Sequence, residues 1–203
     1  MAPRIAIIIY SMYGHINELA KSIKGGIEDA GGQAEIFQVA ETLPDDVLVK
    51  MHVKRDFSYP IATPTTLTEF DAFLFGIPTR YGNMPAQIKT FWDATGKLWV
   101  EGKLTGKYAG VFVSTGGLGG GQETTAITFM STLVHHGFVF VPFGYATGFR
   151  ELSSLDEVHG GSPWGAGTFG APDGSRTTTA RELEMGKRQG MAFYGIVSRV
   201  KWE

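Results

Sequence analysis

One short stretch near the start, Ile5-Ala6-Ile7-Ile8-Ile9-Tyr10, constrains this chain more than its composition does. A continuous β-branched run of this length reads as a strand buried on both faces, the condition of a strand inside a parallel sheet. An amphipathic helix follows it. Ile16, Leu19, Ala20, Ile23, Ile27 and Ala30 fall at helical spacing on one side, with Glu18, Lys21, Lys24 and Glu28 on the other. Between strand and helix lies Ser11-Met12-Tyr13-Gly14-His15-Ile16-Asn17, a turn rich in hydroxyls. A strand that passes through such a turn into a helix aims backbone N–H groups and the helix dipole at one point, which suits a phosphate.

The kind of phosphate is narrowed by what the turn lacks. There is no Gly-Lys-Ser/Thr, so an NTPase is disfavoured, and Gly14 alone does not make the three-glycine dinucleotide fingerprint. Tyr10 and Ser11 stand where a receiver-type domain would carry an acidic cluster. Ser and Tyr hydroxyls with N–H groups and no lysine fit a monophosphate held without metal, as a flavodoxin-like fold holds the FMN phosphate. The bland reading is an ordinary turn capped by Ser11.

At 203 residues, 43% of them hydrophobic, the chain can bury a full core as one domain spanning 1–203. A net charge of −2 gives no footprint for nucleic acid or an anionic membrane. The absence of cysteine excludes disulfides, thiolate metal sites and cysteine nucleophiles. No apolar run reaches transmembrane length, and the first one passes straight into its loop without a cleavage site. A soluble, cytoplasmic α/β protein is expected.

Further strands are expected at Ala34–Val39, Ala72–Gly76, Ala109–Ser114 and Phe138–Phe143. Residues 41–66, interrupted by Pro44, Pro60 and Pro64, form a long excursion with one short helix, read as functional or, preferably, as an assembly surface. The third strand runs into Ile77-Pro78-Thr79-Arg80-Tyr81-Gly82-Asn83, and Pro85 opens a helix. In an open parallel sheet ligands sit beyond the carboxyl ends of the strands, so this loop is expected to face the first one with donors, a charge and an aromatic ring. Ser114-Thr115-Gly116-Gly117-Leu118-Gly119-Gly120-Gly121 sits inside a strand–loop–helix unit, where its glycines let backbone approach a planar ligand. Trp99 lies on a loop between these elements, and the next helix ends at His135-His136-Gly137, a pair without a nearby carboxylate, so no metal is expected. The glycine-rich stretch from Glu157 to Arg176, with Trp164, reads as a lid or a subunit contact. Thr179-Ala180-Arg181-Glu182 is a capping box for a last helix reaching about Val200, with Gly186 and Gly190 on its packing face.

Five of these motifs, at 11–16, 78–84, 114 onward, 135–137 and 160–166, together resemble the tryptophan-repressor-binding-protein (WrbA) family, and the fungal branch with its benzoquinone reductases in particular. The likeness extends over essentially the whole chain. It implies a flavodoxin-like α/β fold, a five-stranded parallel sheet in the order 2-1-3-4-5 with helices on both faces. It also implies an FMN-dependent NAD(P)H:quinone oxidoreductase, reducing quinones by two electrons in a ping-pong cycle with NADH or NADPH as donor. Carried over by motif, Ser11, Met12, Tyr13, Gly14, His15 and Ile16 would hold the FMN phosphate. Pro78, Thr79, Arg80, Tyr81 and Gly82, with Ser114, Thr115, Gly116, Gly117, Leu118, Gly119 and Gly120, would surround the isoalloxazine. Trp99 would line the position where nicotinamide and quinone alternate, and His135 would stand beside it, against the flavin. The glycine loop at 116–121 looks one residue longer than is usual in that family. The resemblance further implies a homotetramer with sites completed by neighbouring subunits, and no DNA-binding role. A one-electron flavodoxin carrier and a flavin-binding scaffold without turnover are the alternatives.

Overall fold

Every residue of β1 (Ile5–Ile9) is buried, and the strand is hydrogen-bonded on both sides. The computed structural model describes residues 1–53 and 59–202. Among these, a parallel sheet runs in the order β2 (Ala34–Gln38), β1, β3 (Ala72–Pro78), β4 (Tyr108–Thr115), β5 (Val139–Phe140). This is the expected order, 2-1-3-4-5.

The alternation of side chains along β1 divides the molecule into two cores. Ile5, Ile7 and Ile9 join Leu74 and Phe112 beneath α1 (His15–Asp29) and the last helix, α8 (Ala180–Val197). Ala6 and Ile8 point the other way, to Phe73 and Phe75 and to α4 (Ala86–Asp93) and α6 (Gln122–His135). Helices on both faces are what lets a parallel strand be apolar at every position. On the second face Phe75 lies 5.4 Å from Trp92 and 5.4 Å from Phe129, in tilted ring pairs. On the first, α1 and α8 meet backbone to backbone. A Cβ on Gly26 would run into the Lys187 carbonyl, and one on Gly190 into that of Ile23. The capping box is present: Thr179 accepts from the Glu182 N–H while the Glu182 carboxylate accepts from the Thr179 N–H.

The fifth strand departs from expectation. Of Phe138–Phe143, only Val139–Phe140 forms strand, paired with Tyr108 and Ala109. Pro142 has no N–H to extend the ladder, and Gly144 turns the chain at φ 64°. The chain then passes through α7 (Phe149–Leu152) and returns as β6 (Gly167–Phe169), pairing with Val113, Ser114 and Thr115. One strand position beside β4 is thus filled by two pieces, making the sheet six-stranded. The 41–66 excursion contains α2 (Asp45–Lys50), and α3 (Thr66–Glu69) begins at its end. Ile61 bridges in parallel to Gln38, the last residue of β2. Trp99, expected on a loop, lies on the short helix α5 (Gly96–Val100). Among the described residues no helix is long and apolar enough to cross a membrane.

Candidate functional site

The carboxyl ends of β1, β3 and β4 open into a cleft of about 310 Å³, the low end of the ~300–1,000 Å³ typical of small-molecule sites. Its lining brings together residues from three of the predicted loops: Ser11, Met12, Tyr13, His15 and Ile16; Pro78, Thr79 and Arg80; and Ser114, Thr115 and Gly116. Among the described residues no carboxylate lines it.

The first loop ends at Gly14, whose φ of 94° a residue with a Cβ adopts only under strain. Gly14 is also the N-cap of α1, and no side chain caps that helix there. Its first-turn N–H groups are therefore left for the cleft, apart from that of Asn17, which donates to Ser11 Oγ at 3.3 Å. His15 Nε2 is 2.6 Å from the Arg176 carbonyl oxygen. A carbonyl only accepts, so the proton of this imidazole sits on Nε2. Arg80 is steadied by the Thr79 carbonyl at 2.8 Å and the Met12 sulfur at 3.7 Å, which keeps its charge beside the loop.

Tyr81 and Gly82 both have positive φ, 56° and 75°, in a two-residue turn closed by the Arg80–Asn83 bridge. For tyrosine this backbone is uncommon and costs about 1 kcal/mol. The turn pushes Tyr81 fully into solvent, next to Arg80 but outside the cleft lining. Gly117 to Gly120 are exposed in a turn closed by the Gly120 N–H on the Gly117 carbonyl, 3.0 Å; Leu118, at its tip, is exposed as well.

Trp99 and His135 are not brought to the cleft in one chain. Trp99 is 55% exposed on α5, which rules out a core role. His135 is exposed at the last residue of α6. The helix starts beside Gly82, and its 14 residues put His135 roughly 20 Å from that end at about 1.5 Å per residue. The second histidine of the pair has a packing role: His136 Nε2 meets Thr95 Oγ1 at 2.8 Å, and its ring lies 5.0 Å from Trp92.

Sequence reasoning read Glu157 to Arg176 as a lid or a subunit contact and named none of its residues as lining the cleft, yet part of it forms a wall. Gly170, Ala171, Pro172 and Gly174 line it, packed against the first loop, and Met51 joins the lining. The excursion therefore reaches the site, with Tyr13 Oη on the Met51 carbonyl at 3.4 Å. Pro172-Asp173-Gly174 carried a turn signature, but nothing local said which way the turn faced. Val158, in the glycine-rich stretch, is exposed. Tyr59 and Trp164 are half-buried against the two cores, and Phe57 lies outside the described residues.

Among the described residues, a cleft lined by the Arg80 guanidinium and an open helix N-terminus and by no carboxylate has the donor chemistry for a phosphate monoester. Flat, glycine-lined walls suit a planar group attached to it. The fold and cleft together define a flavodoxin-like protein. The family model described as NADPH-dependent FMN reductase matches residues 3–149, and the chain belongs to that family. It is 61% identical over 199 residues to NAD(P)H quinone oxidoreductase PST3 of Candida albicans, covering 98% of this chain and 100% of that one. It is 64% identical over 201 residues to Minor allergen Alt a 7 of Alternaria alternata, covering 98% of each. Among solved structures, the flavodoxin, WrbA-like protein from Agrobacterium tumefaciens matches with a TM-score of 0.67 at 20% identity, over 98% of this chain and 99% of that one. That match shows the fold alone.

Proposed function

We propose that this protein is an FMN-dependent oxidoreductase that reduces quinones with NAD(P)H. The observation that carries the reading is the cleft at the carboxyl ends of β1, β3 and β4, with Arg80, His15 and the open first turn of α1 and, among the described residues, without a carboxylate. The name of the Candida albicans relative supports the substrate class. The balance is NAD(P)H, one proton and a quinone going to NAD(P)⁺ and a hydroquinone, two electrons moving together.

In this reading the first-turn N–H groups of α1, Ser11 and Tyr13 hold the phosphate, and the His15 ring, its Nε2 proton given to the Arg176 carbonyl, lies beside it. Arg80 and the backbone of Ser114 to Gly120 frame the ring. Bound FMN supplies the hydride chemistry; the protein orients it, shields it and places positive charge near its electron-rich edge. Nicotinamide and quinone use one position in turn, as a ping-pong cycle requires.

Trp99 and His135 enter the same reading only across copies of the chain. Both are exposed and lie on elements leading away from the cleft, as do the exposed Val134 on α6 and Val100 on α5. We read the active form as a homotetramer in which a neighbouring subunit brings Trp99 and His135 to the flavin.

Protein reconstituted with FMN should oxidise NADH or NADPH in steady state with benzoquinone, giving parallel double-reciprocal lines. A one-electron cytochrome acceptor should be reduced far more slowly. Reduction of the cytochrome without nicotinamide turnover would make the protein a carrier. Flavin binding with neither activity would make it a scaffold.

A further inference from the structure

The carboxylate of Glu182 is wholly buried, and groups from four separate segments donate to it. Its Oε1 accepts from the Gly160 N–H at 2.9 Å, the Phe169 N–H at 3.3 Å and Arg176 Nη1 at 3.1 Å. Its Oε2 accepts from Thr168 Oγ1 at 2.9 Å, Arg176 Nη1 at 3.0 Å and the Thr179 N–H at 2.9 Å. Capping α8 requires only the exchange with Thr179. The pairing with Arg176 exceeds that requirement, and a buried ion pair adds little net stability over an apolar substitute. What such a pair does well is fix a position.

The position fixed here is that of the 170–174 wall of the cleft. Gly170 to Arg176 is a closed loop: the Arg176 N–H donates to the Gly170 carbonyl at 3.2 Å, and Arg176 Nη1 to the Phe169 carbonyl at 2.7 Å. From the same residue the carbonyl oxygen takes the Nε2–H of His15 in the first loop. Gly174 sits against the Tyr13 ring, where an added Cβ would lie 3.4 Å from Cγ. One residue, Arg176, thus grips the buried carboxylate with its side chain and the 11–16 loop with its backbone.

We infer that the Arg176–Glu182 pair is a positioning device that holds the 170–176 wall against His15 and Tyr13, and so sets how strongly the cleft prefers a phosphorylated flavin over riboflavin. The inference rests on the cleft being the FMN phosphate site. Neither side chain touches the ligand; both act through the wall and through the orientation of His15.

The test is the ratio of two dissociation constants, for FMN and for riboflavin, measured by quenching of flavin fluorescence on apoprotein. Wild-type protein should bind FMN much more tightly; equal binding would sink the phosphate-site reading itself, and this inference with it. Arg176→Gln should weaken FMN by about tenfold, the size of one well-placed hydrogen-bonded contact, with riboflavin changed by less than about twofold. Thr179→Ala removes the cap hydroxyl but leaves Arg176 and Glu182 in place, so it should lower the Tm and keep the ratio. An undiminished FMN preference in folded Arg176→Gln would overturn the inference, as would equal weakening of both ligands. Should Arg176→Gln not fold, the double variant with Glu182→Gln leaves no unpaired charge and carries the same measurement. Failure of that variant to fold as well would make the pair a folding element and also overturn the inference.

Discussion

Thr79 Oγ1 and Thr125 Oγ1 lie 2.7 Å apart, joining the loop after β3 to the first turn of α6 across 46 residues of sequence. The direction of the bond is fixed by its neighbours. Thr125 gives its hydroxyl proton to the Gly121 carbonyl at 2.7 Å, so Thr79 must donate to Thr125. The Thr79 oxygen then accepts from the Gly82 N–H at 3.1 Å. A single file of hydrogen bonds runs from Gly82 to Gly121, and it holds the strained turn that presents Tyr81.

Thr79→Val keeps the shape and breaks the file, leaving the Gly82 N–H without its acceptor. We expect a loss of about 1–3 kcal/mol in urea unfolding. If Tyr81 guards the substrate position, KM for quinone should rise while FMN affinity changes little. A change in stability with unaltered KM would confine the file to a structural role.

Trp99→Ala should cost under about 1 kcal/mol, since the ring is more than half exposed, well short of the ~3–5 kcal/mol for emptying a buried aromatic site. Activity should nevertheless fall through kcat/KM for quinone. Mixing Trp99→Ala protein with a second variant defective in the 11–16 loop should restore part of that activity, because each supplies what the other lacks. No recovery on mixing would place the whole site within one chain.

Neighbouring glycines in α1 should respond with opposite signs. Nothing approaches the space a Cβ would take on Gly25, whereas Gly26 abuts the Lys187 carbonyl. Gly25→Ala should gain about 0.5–1 kcal/mol from helix propensity alone. Gly26→Ala should lose about 1–3 kcal/mol or more as α1 and α8 are forced apart. Thermal melts of the two variants side by side decide this.

Glu41, just past β2, gives a pH signature. Burial works against its charge, but the N–H groups of Leu43 and Thr42, the Gln87 amide and the Tyr10 hydroxyl outweigh it and hold the carboxyl below its ordinary value. A depressed carboxyl contributes stability that is complete above the unfolded-chain value, near 4.3, and lost as pH falls through the lower folded value. The stability difference between wild type and Glu41→Gln should therefore be largest near neutral pH and shrink below about pH 4. Urea midpoints across that range measure it; a difference independent of pH would mean that shape, not charge, matters at this position.

The sequence was most legible where burial acts on a whole element. β1, β3 and the body of β4 are apolar at nearly every position because both faces are covered, and the run survives inspection without any knowledge of neighbours. The cleft's first three loops were legible because they follow such strands. Two features were not. Gly167-Thr168-Phe169 is too short to announce a strand, and it pairs with β4 only because β5 has already left that position. The wall at 170–174 contributes glycine, alanine and proline, whose use is conformational, so nothing in their chemistry pointed to a ligand. Trp99 and His135 were expected at the site, and one chain's geometry keeps them from the cleft, so their part in it rests on the proposed assembly.

The split of the fifth strand bears on how the protein survives at high concentration. A sheet edge is an invitation to other chains, because its unpaired N–H and C=O groups can template a further strand. On the β5 side that edge is offered in lengths of two and three residues, with an insertion of 26 residues, 141–166, leaving the plane between them. Neither piece is long enough for an incoming strand to find register. The insertion between the two pieces thereby guards the flank of the sheet against edge-to-edge aggregation.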